Sequence, residues 1–150
     1  MKTEKKESDK RIRMKCHIIF TTRFRLHKLE NEKLKRATEQ AVRQACADNE
    51  AIVLLYETGI RDKQGKLHHE TSSIHIYVHL HGKTGPEELM KHIRQACSKT
   101  AAAVSPEEKH SIWTRDYYIA DDTQYDQNEA LEFAHQRLAK YKEALRNEEL

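Results

Sequence analysis

From Ser72 to Gly82 the chain reads Ser-Ser-Ile-His-Ile-Tyr-Val-His-Leu-His-Gly, a run in which hydroxyl, imidazole and phenol groups alternate with aliphatic ones. Ile74, Ile76, Val78 and Leu80 alternate with Ser73, His75, Tyr77, His79 and His81, the period of a strand with one face in a core. Side chains two apart on a strand point the same way, so this strand lines up groups able to converge on one metal ion or one phosphate. A solvated strand more often shows Thr, Lys, Glu or Arg. His79 and His81 have the spacing of a ligand pair, but no carboxylate or cysteine in the same segment completes a set.

A second group of chemistry-bearing residues is basic and aromatic. Cys16 to Arg25 alternates as a strand with Cys16, Ile18, Phe20 and Phe24 facing inward and His17, Thr21, Arg23 and Arg25 facing outward. Two guanidiniums beside a His-bearing strand can hold phosphates bidentately. Lys28, Arg94 and Arg115 add positive charge outside the apolar stripes. Trp113, Tyr117 and Tyr118 lie in an aromatic segment, Ser111 to Ala120, that reads as a strand and can stack on unpaired bases. Trp113 and one of the two tyrosines are expected in the core.

The elements that must position these residues follow from periodicity. Asn31 to Asp48 is an amphipathic helix, and Ala51 to Thr58 a near-continuous apolar run suited to a strand. Arg61 to Lys66 is a turn in which Gly65 supplies a positive φ, so the His-rich strand returns antiparallel. Pro86 opens a helix with Leu89, Ile93, Ala96, Cys97, Thr100 and Val104 on one stripe. Asp126 caps a last helix with Ala130, Ala134, Leu138, Tyr141 and Leu145 on one face. The order β-α-β-β-α-β-α predicts an α+β fold: a ferredoxin-like antiparallel four-stranded sheet with helices on one face, plus a C-terminal helix outside that unit.

With 150 residues the chain fits one domain, read as a basic flexible arm over 1–14 and a single domain over 15–150. The formal charge is +3, and residues 1–15, with seven Lys or Arg against three acids, account for +4. The body is therefore near neutral, and any polyanion site on it is a local patch. No apolar run approaches a bilayer span, and Met1 to Glu7 lacks the apolar segment of a secretory signal, so a cytoplasmic protein is expected. Cys16, Cys46 and Cys97 sit singly in apolar-periodic segments, which favours buried free thiols.

Taken in order, Cys16-His17-Ile18-Ile19-Phe20-Thr21-Thr22-Arg23-Phe24-Arg25, Ile74-His75-Ile76-Tyr77-Val78, Leu89 to Thr100, Ile112-Trp113 to Tyr118-Ile119 and the final helix resemble the HUH single-tyrosine transposases of the smallest bacterial insertion sequences and their repeat-associated relatives. The resemblance spans roughly residues 14–140. It implies a ferredoxin-like fold, a homodimer and binding of single-stranded DNA with hairpins; RNA of similar shape is a further possible partner on the residues alone. In active members, it further implies, two histidines on the third strand hold a divalent metal with a polar residue of the last helix. A tyrosine of that helix attacks the scissile phosphate and forms a 5′-phosphotyrosine.

This chain departs from that pattern twice. Ser73 stands where the first metal-binding histidine is expected and leaves His75 as a remnant, and Phe133 stands at the nucleophile. A hydroxyl replaces an imidazole poorly as a ligand, and phenylalanine has no oxygen. The expectation is a catalytically inactive, transposase-like binder of structured single-stranded DNA that needs no cofactor. One alternative is an active enzyme using Mg²⁺ or Mn²⁺ at a relocated site, with His79, His81 or Gln136 as ligands and Tyr125 or Tyr141 as nucleophile. Another is a protein-interaction module without nucleic acid.

Overall fold

The computed structural model describes residues 11–22, 28–104 and 113–149, with side chains of the last helix described through Arg137 and at Ala139. Arg23, Arg25 and the side chain of Tyr141 lie outside the described set. The elements are β1 (Met14–Thr22), a 3-10 turn (Lys28–Glu30), α1 (Glu32–Asp48), β2 (Ala51–Thr58), β3 (Ile60–Arg61), β4 (Leu67–His68), β5 (Ser73–Leu80), α2 (Pro86–Val104), β6 (Trp113–Asp121) and α3 (Gln127–Glu149). The order agrees with the periodicity, with the short hairpin β3–β4 and the 3-10 turn added. Ile12 N–H already donates to the Gly82 carbonyl at 2.7 Å, so the chain joins the body two residues before the end of the expected arm.

The four long strands form one antiparallel sheet in the order β2-β5-β1-β6, the ferredoxin-like arrangement, with β5 and β1 central. One face packs on α1 and α2. Ile18, Phe20, Ile74, Ile76, Val78 and Leu80 meet Leu34, Val42, Leu89, Met90 and Ile93 there, all essentially inaccessible. Each such side chain contributes about 1.5–3 kcal/mol by leaving water. Cys16, Cys46 and Cys97 are free thiols in this layer, as their apolar setting predicts. Asn31 caps α1 by accepting from Leu34 N–H at 3.1 Å, and Asp126 caps α3 by accepting from the backbone of Asn128 and Glu129.

The second face differs from its expected solvated state over half its length. The first four residues of β5, Ser73 to Ile76, and the last five of β1, Ile18 to Thr22, are buried on both sides. In the remaining halves, exposure alternates as the sequence predicts. The cover is α3 together with the β3–β4 hairpin: Ala130 and Ala134 press on Ile19 of β1 and on Ile60 of the hairpin in a second small core, and the hairpin packs on β5. Alanines let a helix approach a sheet closely, and their weak apolar signal conceals the cover from a periodicity reading. Gly59, at φ +95°, turns β2 into that hairpin; a Cβ there would lie 2.9 Å from the His68 carbonyl oxygen, and its N–H donates to Ser73 at 2.7 Å.

Candidate functional site

The seam between the covered and open halves of the second face carries the chemistry. Pairing of Ile18 with Ile76 places His17 on β1 and His75 on β5 as diagonal neighbours on that face. Their rings meet, His17 Nδ1 lying 2.9 Å from His75 Nε2. Asp122, just past β6, stands 3.7 Å from His17 Nε2 and also takes the Tyr77 hydroxyl as a hydrogen-bond donor. In the tautomer that turns an N–H on His17 Nε2 toward this carboxylate, Nδ1 accepts and His75 Nε2 donates. The order is Asp122, His17, His75.

Aromatic rings enclose this relay. Tyr125, in the turn before α3, stacks on His17 at 3.8 Å between centroids and 16° between planes, and on His75 at 5.4 Å and 18°. Tyr77 lies at 4.3 Å and 18° from His17, so the three rings Tyr125, His17 and Tyr77 form a column. Burial lowers the basicity of both histidines: His75 falls to about 4, chiefly by desolvation and then by its neighbour His17, while desolvation of His17 outweighs the opposing pull of Asp122. Desolvation, then the nearby Tyr118, Glu57 and Asp126, push the Tyr125 phenol up to about 12. A phenol held this way is less acidic than in water, the opposite of an activated nucleophile.

The other expected residues fall in separate places. Ser73 is buried, and its hydroxyl has no hydrogen-bond partner among the described residues. Phe133 packs against Tyr118, 6.1 Å between centroids, with the Arg137 guanidinium 5.2 Å over its ring. Tyr118 and His75 both pair with Ile19, from opposite sides, so the ring that Phe133 packs on lies on β6, two strands away from His75 on β5. Gln136 is exposed and bonds Glu132 at 2.9 Å. His79 and His81 sit at the open end of β5 with centroids 6.0 Å apart and planes tilted by 60°. Arg94 is on α2, across the sheet from the histidines, and Tyr117 packs against the main core. Arg115 is exposed on the edge strand β6, and Lys28 belongs to the 3-10 turn.

The divalent-metal site that the resemblance implies is not assembled among the described residues. Among the described residues no three His, Cys, Asp or Glu side chains could hold a metal together. His75 spends Nε2 on His17, and its strand neighbour at the ligand position offers only a hydroxyl. One member of the relay, Asp122, and one ring beside it, Tyr77, escaped sequence reasoning. Asp122 reads as part of an acidic turn and Tyr77 as one phenol in a row; only the register of β1 on β5 and β6 brings them to His17.

The family model of the IS200-like transposases matches residues 10–132 of this sequence. The chain belongs to the IS200-like transposase family. Among solved structures, the fold of this IS200-like chain is similar to a protein of Deinococcus radiodurans R1 described as a candidate transposase, with TM-score 0.58 and 13% identity over 91% of each chain. It is also similar to a REP-associated tyrosine transposase bound to a REP hairpin, with TM-score 0.53 and 12% identity over 79% of this chain and 62% of that one. At these identities the likeness is one of fold. No curated protein sequence matches this one significantly. No helix among the described residues is long and apolar enough to cross a membrane.

Proposed function

We propose that this IS200-like family member binds structured single-stranded DNA, in particular hairpins, and does not cut it through a phosphotyrosine. The observation that carries this reading is Phe133: the position where the family nucleophile is expected has no oxygen and is packed between Tyr118 and Arg137. The engaged His17–His75 pair and the buried Ser73 support it from the metal side. The hairpin held by the similar REP-associated transposase supports the choice of ligand. The open end of the second face supplies two cations, Arg13 and Lys15, which line a depression of about 340 Å³ together with His79 and the carboxylates of Asp121 and Asp122.

A second reading rests on Tyr125, whose ring lies against both histidines and which would serve as a displaced nucleophile. Its raised pKa, and the lack of a converging metal set among the described residues, favour the binding reading over this one. Native-gel retardation of a labelled hairpin oligonucleotide, compared with a fully paired duplex of the same stem, tests the proposal. Hairpin binding that weakens steeply as salt is added is expected, because phosphate contacts release counterions. Equal retention of the duplex, or no complex with either, would contradict it and leave an interaction module as the function to pursue.

A further inference from the structure

The open half of the second sheet face presents a combination that neither the His relay nor the fold uses. The exposed large apolar side chains among the described residues are Ile52, Leu54 and Leu55, at 49%, 47% and 38%, all on the edge strand β2. Register carries them next to the aromatic column: Leu55 pairs with Tyr77, and Ile52 pairs with His79, which pairs with Lys15 on β1. Tyr77 is the last ring of the column on the β2 side, partly exposed, and its hydroxyl is fixed by Asp122. It is a rigid π-face beside an apolar shelf.

The geometry points to a seat for one unpaired base of a single strand, resting on Tyr77 and covering Leu55 and Ile52, with the adjoining phosphate on Lys15 and Arg13. This rests on the binding reading above and names where that ligand's single-stranded part docks. The chemistry suits a nucleotide. A base needs a flat aromatic platform with apolar surroundings and no sequence-specific donors, and its phosphate needs cations within one residue's reach. Asp121 and Asp122 share the depression with those cations and keep their charge, so the stacking platform and not a net positive field carries the seat, with Lys15 and Arg13 as individual phosphate contacts. Central strands carrying stacked aromatics are also how other sheets of this topology take up single strands.

The test uses the full chain and hairpin oligodeoxynucleotides with a short single-stranded flank carrying 2-aminopurine at each flank position in turn. At one position, binding should change the fluorescence severalfold. Tyr77→Leu should abolish that change and weaken binding about tenfold, whereas Tyr77→Phe should keep both. If Tyr77→Leu does not fold, the wild-type fluorescence and the surface variant Ile52→Glu, expected to weaken binding, decide instead. Normal hairpin affinity with no fluorescence change at any position would overturn the seat while leaving hairpin binding intact. Failure to bind any oligonucleotide would overturn both. Conversion of a dimer to a monomer by Ile52→Glu, with base fluorescence unaffected, would assign the shelf to a second copy of the chain and equally overturn the seat.

Discussion

His75→Gln should flatten the acid limb of the stability curve by about 3 kcal/mol between pH 6.5 and pH 4. In the unfolded chain His75 titrates near the ordinary 6.5, while in the fold its pKa is about 4. Between those values the unfolded state binds the extra proton, so unfolding is favoured as pH falls and the contribution of neutral His75 is lost. The stability is complete above pH 6.5 and gone below about 4; the shift of roughly 2.5 units at about 1.4 kcal/mol each gives the magnitude. His17, also lowered, acts in the same direction. Glutamine does not titrate and still offers a donor and an acceptor to His17, so the variant should resemble the wild type near pH 7. Urea midpoints at pH 7, 5.5 and 4 check this, and parallel curves for the two proteins would refute it.

Ala134→Glu should cost more than 3 kcal/mol and free α3 from the sheet. Ala134 is fully buried in the small core with Ile19, Ile60 and Ala130, and no described member of that core is a cation. Burying an unpaired charge is among the few single changes with effects this large, and the helix can avoid it only by undocking. Undocking returns water to His75, so its pKa should rise toward 6.5 and the acid limb should flatten as in His75→Gln. Ala134→Ser, which adds one small hydroxyl, should cost much less. The comparison is made by urea unfolding and by the histidine ring resonances in NMR. A Glu variant as stable as the wild type, with His75 unshifted, would mean that α3 does not seal this face.

The sheet and its main core were legible because β1, β2, β5 and α1 announce themselves by clean periods of two or 3.6, and the caps Asn31 and Asp126 by residue type. The cover of the second face was not. Ala130 and Ala134 read as a helix stripe, yet nothing in their chemistry says which surface they meet. The site was legible in its parts. His75, Ser73, Phe133 and Tyr125 were all singled out, and His17 was placed on the outer face of the first strand. What ties His17 to His75, Asp122 and Tyr77 is cross-strand register, a property of pairing between distant segments that no local pattern encodes. The same holds for Phe133, whose separation from β5 follows from Tyr118 and His75 flanking Ile19.

The central claim, binding without strand cleavage, is tested most directly by incubating the wild-type protein with labelled hairpin oligonucleotides and Mg²⁺ or Mn²⁺ and resolving the mixture on denaturing as well as native gels. The account predicts a retarded native complex that dissolves completely on denaturation, with the oligonucleotide intact. A denaturation-resistant protein–DNA adduct would contradict it, and loss of that adduct in Tyr125→Phe would identify the displaced nucleophile.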